Sequence, residues 1–351
     1  MTITRAWDFS GEISDMEVMS DGSYPPERSA VQANTGAYSW KISNLTSSAL
    51  VMGVPDGTTD LRAAMFFWAS DDEGWGHDGI RGDMNVFALH QRYTTNYGVR
   101  LIWMEDEQRL DLSIDGTVED TILLSAIPDW TIETWLHVGI TASCTSGYAS
   151  VYFNGDQILT YSGSIAQQPW DCVKIFARRE SYGFQWGGWV DDGYVDVLDS
   201  EPDAAPPMYR FLPSYVVAAG DDADFTQLSG SNYQMVDDGA APDDDTTYNK
   251  AMTSAGSLKD TFDCDNIAVP TDYIIVAAHP FAIVRKLDAG EDAQIKNTAW
   301  DGATLAEGAA QNIPITYGIT KARMTTQPDG SDWNESDFNA MQFGYEAAGS
   351  F

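Results

Sequence analysis

Cysteine is scarce in this chain. Cys144, Cys172 and Cys264 are the only three, they lie far apart, and no CxxC pair occurs. That excludes a disulfide framework and the usual zinc spacings, and buried free thiols are the expected state. Basic residues are scarce too: 19 against 53 acidic ones, seven of them Lys, for a net charge of −34. So acidic a surface repels phosphate backbones and anionic lipid, which argues against nucleic-acid binding. A Lys-poor acidic surface also suits salty water. No apolar run reaches the roughly 18 residues of a membrane helix, so no membrane insertion is expected. Met1 to Ser10 has no apolar stretch behind a basic start, so no signal peptide is expected either. Long helical-period runs of Ala, Leu, Glu and Lys are missing. What is present instead is 12% aromatic residues and frequent β-branched ones, a balance that favours strands.

With 351 residues the chain is long enough for two cores. The run DSEPDAAPP, Asp199 to Pro207, replaces alternating apolar residues with Pro, Asp and Ala and reads as a linker. The expected organisation is therefore a domain over 1–200, a linker over 201–208 and a second domain over 209–351. Upstream, short strand-like runs recur between turn signals: Tyr38 to Ile42, Ala64 to Trp68, Val86 to His90, Gly98 to Trp103, Leu110 to Ile114, Trp135 to Ala142, Tyr148 to Phe153 and Trp189 to Val197. Regular short strands imply a sandwich. In LDLSID, Leu110, Leu112 and Ile114 alternate with Asp111, Ser113 and Asp115, which predicts an antiparallel strand with one packed and one wet face. Asp115-Gly116 and Asn154-Gly155 follow such runs and supply the positive φ that tight hairpins need.

Downstream the pattern continues in Tyr209 to Val217, Leu258 to Phe262, Asp272 to Ala277, Ala282 to Leu287, Ala293 to Asn297 and Ile313 to Thr320. The acidic stretch Asp221 to Asp245 reads as surface loops, with Tyr233, Met235 and Val236 alternating like a strand. Ser331 to Met341 suits a short helical turn capped by Asp332, before a last strand from Gln342 to Glu346. The fold class is all-β, two sandwich domains, and no internal repeat of fixed period is visible.

The first two hundred residues resemble the concanavalin-A-like jelly rolls of the laminin-G-like group. The resemblance rests on Trp7-Asp8-Phe9, on Thr35 to Ile42, on Trp135-Leu136-His137-Val138-Gly139-Ile140, on Val151-Tyr152-Phe153-Asn154-Gly155 and on Val190-Asp191-Asp192-Gly193-Tyr194-Val195, in that order. Pro242 to Tyr248, Arg285 to Gly290, and Trp333 with Asn339 to Gly344 resemble C-terminal β domains of phage virion proteins. The resemblance implies a jelly roll followed by a phage-type β domain. It also implies a structural or adhesive role on a particle.

Candidate sites divide by chemistry. Some jelly rolls of this kind are glucanases with two carboxylates facing a cleft. Glu105-Asp106-Glu107 is the one such run here, but the next same-face residue is Arg109, so a solvated strand edge is the plainer reading. No G-x-S-x-G elbow occurs, and His77, His90 and His279 lack zinc spacing. His137, inside a strand, reads as a packed or edge residue. No catalytic residue is assigned. Calcium is the one cofactor to consider: Asp191 and Asp192 are the first pair to inspect, although alternation points one inward and one outward. Glycan contact needs exposed aromatic planes beside polar groups, and the Gly-flanked Trp75, His77, Trp186 and Trp189 have that character, though Trp is equally a core residue.

The expected function is that of a non-enzymatic structural protein on the exterior of a bacteriophage virion, decorating head or tail. The expected partners are capsid or tail proteins, further copies of itself in a trimer or other cyclic oligomer, and host surface glycans. A carbohydrate-binding adhesin or receptor-binding protein is the alternative, and a glycoside hydrolase the third reading.

Overall fold

The computed structural model describes residues 5–9, 17–19, 27–29, 33–34, 39–43, 49–69, 84–90, 97–104, 107–131, 134–166, 169–178, 187–198, 205–238, 245–251, 258–271, 273–287 and 292–349. The chain is all-β, and it divides into two compact units, Met1–Phe211 and Leu212–Phe351.

The first unit holds two antiparallel sheets. One runs, in spatial order, Asp156–Ser162, Tyr148–Phe153, Trp135–Ser143, Asp60–Ala69, Gly187–Val197, Ser39–Ser43 and Glu27–Ser29, with Arg5–Phe9 also paired to Gly187–Val197. The other runs Thr117–Leu123, Arg109–Ile114, Tyr97–Met104, Met84–His90, Trp170–Arg178, Ala49–Thr58 and Glu17–Met19. Leu61, Met65, Val138 and Val151 of the first sheet meet Leu89, Leu101, Leu112 and Val173 of the second in one buried cluster, which makes the unit a sandwich.

Each upstream run read from the sequence lies in a strand, with Tyr38 outside the described residues. The hairpin signals are also where the sequence places them. Asp115 and Gly116 (φ 48° and 90°) join Arg109–Ile114 to Thr117–Leu123, and Asn154 and Gly155 (φ 48° and 92°) join Tyr148–Phe153 to Asp156–Ser162. One expectation is corrected. The polar side of LDLSID is not wet: Asp111 and Ser113 are buried, Asp111 by a two-pronged bond from Arg109 (2.7 and 3.0 Å) and Ser113 as acceptor of Arg100 Nη2 at 3.1 Å.

The second unit is built on one antiparallel sheet ordered Val216–Ala223, Lys259–Cys264, Gln342–Gly349, Ala293–Trp300 and Leu305–Glu307, with Gln311–Asn312 also on Ala293–Trp300. Two ribbons accompany it, Thr226–Gln227 with Asn249–Lys250 and Phe281–Val284 with Gly318–Lys321. Trp333, Met341, Met324 and Ala299 form its main apolar cluster. Three local readings change here. Tyr233–Met235 is a 3-10 turn, not a strand. Residues 209–215, 273–277, 285–287 and 313–317 are outside strands, with Asp272 outside the described residues. The helix Glu335–Ala340 is capped by Asn334, whose side chain accepts from Asp337 N–H at 3.0 Å, not by Asp332.

Candidate functional site

Two faces are available to each sheet of a sandwich, and alternation assigns side chains to them. In Asp60–Ala69 the odd residues Leu61, Ala63, Met65 and Phe67 enter the core, so Arg62, Ala64, Phe66 and Trp68 take the outer face. In Trp135–Ser143 the even residues enter the core, so Trp135, His137, Gly139 and Thr141 share that outer face. Register then sets Trp135 opposite Trp68 and Trp68 opposite Trp189, three tryptophans in one row across three adjacent strands. Trp68 and Trp135 are partly exposed and meet edge to face, centroids 5.9 Å apart. Trp189 is 5% exposed, so its ring backs the row and offers no plane to solvent. In the segment before Trp135, Thr131 and Thr134 are exposed, their hydroxyls 3.2 Å from each other and donating to Asp129 O at 3.1 Å and Thr131 O at 2.9 Å.

One step along the strands, about 6.6 Å at two residues of extended chain, the next row is His137, Phe66 and Asp191. Here Gly187–Val197 bulges. Asp191 faces Phe66 and Tyr194 faces Ala64, so Asp192 and Gly193 together oppose Met65 alone. Asp192 takes φ 48°, a conformation Asp tolerates better than most residues. The bulge overturns simple alternation, and both aspartates are buried. Their oxygens accept from N–H donors: Asp191 from Asn34 N (2.9 Å) and Asp192 N (2.9 Å), Asp192 from Asn34 Nδ2 (2.6 Å) and Phe211 N (3.0 Å), with Arg210 Nη1 at 3.8 Å. Calcium prefers an open cage of oxygens, and this pair is instead surrounded by donors. Among the described residues, no group of three or more His, Cys, Asp or Glu is placed to hold a metal ion.

A strap crosses the middle of this face. Pro206 lies over Gly139, where a Cβ would come within 2.8 Å of the proline ring, so only glycine permits the approach. Tyr194 donates its hydroxyl to Pro207 O at 2.8 Å, and its ring packs tilted against Tyr209, centroids 4.6 Å apart. Arg210 sits 4.2 Å over the Phe66 ring. Residues 205–208, the end of the segment read as a linker, thus belong to the first unit. His137 lies buried at this face against Phe66 (5.0 Å), and desolvation, then the Arg210 charge, push its pKa down to about 4. It is a neutral packing residue in a central strand. Further along, Arg62 pairs with Asp196 at 2.9 Å, both buried.

Of the residues singled out by sequence, Trp75, His77 and Trp186 lie outside the described residues, as do Glu105 and Asp106. Trp189, Asp191 and Asp192 fall on one face. Trp68 and Trp135 were not singled out, yet they carry its exposed aromatic surface. The signal for them was in the sequence: Trp135 and His137 run in antiphase to Leu136, Val138 and Ile140.

No family model matches this chain, and no curated protein does. Solved structures of low similarity include the receptor binding domain of botulinum neurotoxin C/D mosaic serotype, at 13% identity over 52% of this chain and 43% of that one, TM-score 0.38. A mutant Trypanosoma rangeli sialidase displaying trans-sialidase activity matches at 8% identity over 49% and 27%, TM-score 0.36. Lectin II from Ulex europaeus matches at 12% identity over 56% and 99%, TM-score 0.37. The chain spans less than half the length of the first two. With TM-scores below 0.5 these likenesses decide nothing about chemistry, and the all-β architecture stands on the sheets themselves.

Proposed function

We propose that this chain is a non-enzymatic recognition and structural protein whose first unit contacts glycans at the Trp68–Trp135 row on the outer face of its eight-stranded sheet. The row of tryptophans carries the reading: two partly exposed rings are held by adjacent strands in register with buried Trp189, and the exposed Thr131 and Thr134 precede Trp135 in the chain. Sugar C–H faces stack on such planes while hydroxyls take the polar edge. Rigid strands hold the platform, which lowers the ordering cost of binding. The setting we propose is the exterior of a bacteriophage particle, in contact with capsid or tail proteins. The support for that setting is the phage-type resemblance of the sequence together with its acidity.

A non-catalytic role is supported by how the buried carboxylates are used. Asp60, Asp111, Asp191, Asp192, Asp196 and Asp260 each accept from protein donors. Carboxylates committed to holding strands and loops together are not the poised acid and nucleophile pair of a retaining glycosidase.

The glycan reading is tested by a glycan array followed by calorimetry on the wild type, Trp68→Ala and Trp135→Ala. Binding that each substitution weakens roughly 10-fold or more supports it, as one lost aromatic stack is worth about 1.4 kcal/mol. A ligand bound equally by all three proteins refutes the site, and turnover of any bound oligosaccharide refutes the non-enzymatic reading. Mass spectrometry and cryo-EM of purified particles test the setting: ordered, stoichiometric copies support it, and absence from particles removes it.

A further inference from the structure

The ribbon Phe281–Val284 with Gly318–Lys321 in the second unit has two unlike faces. Register pairs Phe281 with Lys321, Ile283 with Ile319, and Val284 with Gly318. Val284 turns inward to pack on Ala293, Ile295 and Ile313, and Ala322 joins the Trp333 cluster. The opposite face carries Phe281, Ile283 and Ile319, the last two 38% and 45% exposed; beyond the paired residues Leu287 and Ile315, the latter in a bend, are exposed too. Large apolar side chains grouped on one exposed face are the mark of an interaction surface.

Charge says what covers it. Residues 273–287 and 313–324 contain no Asp or Glu but hold Arg285, Lys286, Lys321 and Arg323. These 27 residues carry +4, which leaves −38 on the other 324. By contrast 212–271 hold eleven acids and two lysines. One of these charges is met within the chain, where Arg285 Nη2 and the Tyr317 hydroxyl converge on Asp245 Oδ1 at 2.5 and 2.7 Å with the guanidinium 4.9 Å from the Tyr317 ring, and Nε and Nη1 of Arg323 are buried, so the basic character of the ribbon's surface rests on Lys286 and Lys321.

We propose that this face docks a second copy of the chain, ribbon against an acidic surface. Two copies at −34 each repel over most approaches, and the basic, apolar ribbon is a place where that acidity turns into attraction. The contact is heterologous, so repetition closes a ring or extends a filament. It involves the second unit's ribbon and stands whether or not the first unit binds glycans.

Sedimentation velocity of the full chain, with Ile283→Asp, Ile319→Asp and Val118→Asp, tests it. Both ribbon positions are exposed, so near-ultraviolet circular dichroism should report an unchanged fold. The wild type is expected to exceed its 38.5 kDa monomer mass at micromolar concentration and to weaken toward about 0.5 M salt. Each ribbon substitution is expected to weaken association about 30-fold, the scale of a central interface anchor, while the change at exposed Val118 of the first unit has no effect. A wild type that stays monomeric up to about 100 µM overturns the proposal. So does assembly that I283D and I319D leave intact, or that V118D alone disperses.

Discussion

Asp192 is expected to hold the strap on the first unit, and three substitutions separate the reasons. Its carboxylate accepts from Asn34 Nδ2 at 2.6 Å and Phe211 N–H at 3.0 Å and lies 3.8 Å from Arg210, in a backbone conformation at φ 48°. Asp192→Ala removes both acceptors while keeping a Cβ at that φ. Each stripped donor costs about 1–3 kcal/mol when buried, and both lie only partly buried, so roughly 2–4 kcal/mol in total is expected. Asp192→Gly loses the same acceptors but recovers about 1 kcal/mol of backbone strain. Asp192→Asn keeps one of the two acceptors, turns its amide N–H toward the donor at the other, and loses the ion pair: about 1–3 kcal/mol for the one stripped donor and about 0.5 kcal/mol for the pair, with Arg210 a quarter exposed. Asp192→Ala is therefore expected to be the most destabilising of the three. Urea unfolding followed by tryptophan fluorescence gives the energies, and hydrogen exchange of residues 205–211 shows whether the strap opens locally. If D192A and D192N agree within about 0.3 kcal/mol, or the Phe211 amide stays equally protected in D192A, the carboxylate does not pin the strap.

His137 makes the first unit sensitive to mild acid. Its folded pKa of about 4 lies below the unfolded value of 6.5, so the unfolded chain takes the proton first. Stability is full above about 6.5 and falls between 6.5 and 4, by up to about 3 kcal/mol, with no further loss from this group below that. His137→Phe should flatten this window in urea melts across pH, and parallel profiles refute the assignment. Arg62→Ala strands buried Asp196 and is expected to cost about 3–5 kcal/mol, whereas Arg62→Met with Asp196→Leu should come near neutral; a double variant as unstable as the single one counts against this. The thiols should be inert in the folded chain, since Cys172 is fully buried and burial, then neighbouring aspartates, push Cys144 and Cys264 up to about 12. Ellman's reagent at mildly alkaline pH should label all three promptly only after unfolding, and prompt labelling of the native chain contradicts it.

The fold was legible wherever a strand buries one face. Leu110, Leu112 and Ile114, or Val138, Ile140 and Ala142, repeat at period two because one side meets the opposing sheet. The strands that escaped notice include the sheet ends. Thr117–Leu123 and Asp156–Ser162 each have a neighbour on one side only, and they carry Glu119, Asp120, Asp156 and Gln157 where a central strand carries apolar residues. Ala49–Thr58 was hidden by Gly53, Pro55 and Gly57, residues that usually mark turns. In the second unit the apolar run from Tyr273 to Leu287 looked like two strands, yet only Phe281–Val284 pairs in a ladder.

The site was half legible, and the reason is register. A single strand announces which of its residues share a face, and so Trp189 and Asp191 could be noticed together. Nothing within one strand says which residue of a strand distant in sequence will stand beside it. Trp68, Trp135 and Trp189 are 54 to 121 residues apart, and they become one surface only because Asp60–Ala69 lies between the other two strands in the register the hydrophobic pattern fixes. The bulge at Asp192 is the second thing no alternation rule supplies. It adds one residue, sets Asp192 on the same outer face as Asp191 and lets the strap's Phe211 and Arg210 reach Asp192. Removing that extra residue, by deleting Gly193, should restore strict alternation and flip one aspartate or the following Tyr194 to the wrong face. Such a variant is expected to lose the strap's protection from exchange while a deletion in the Asp115-Gly116 hairpin does not, and equal effects of the two refute the bulge's role.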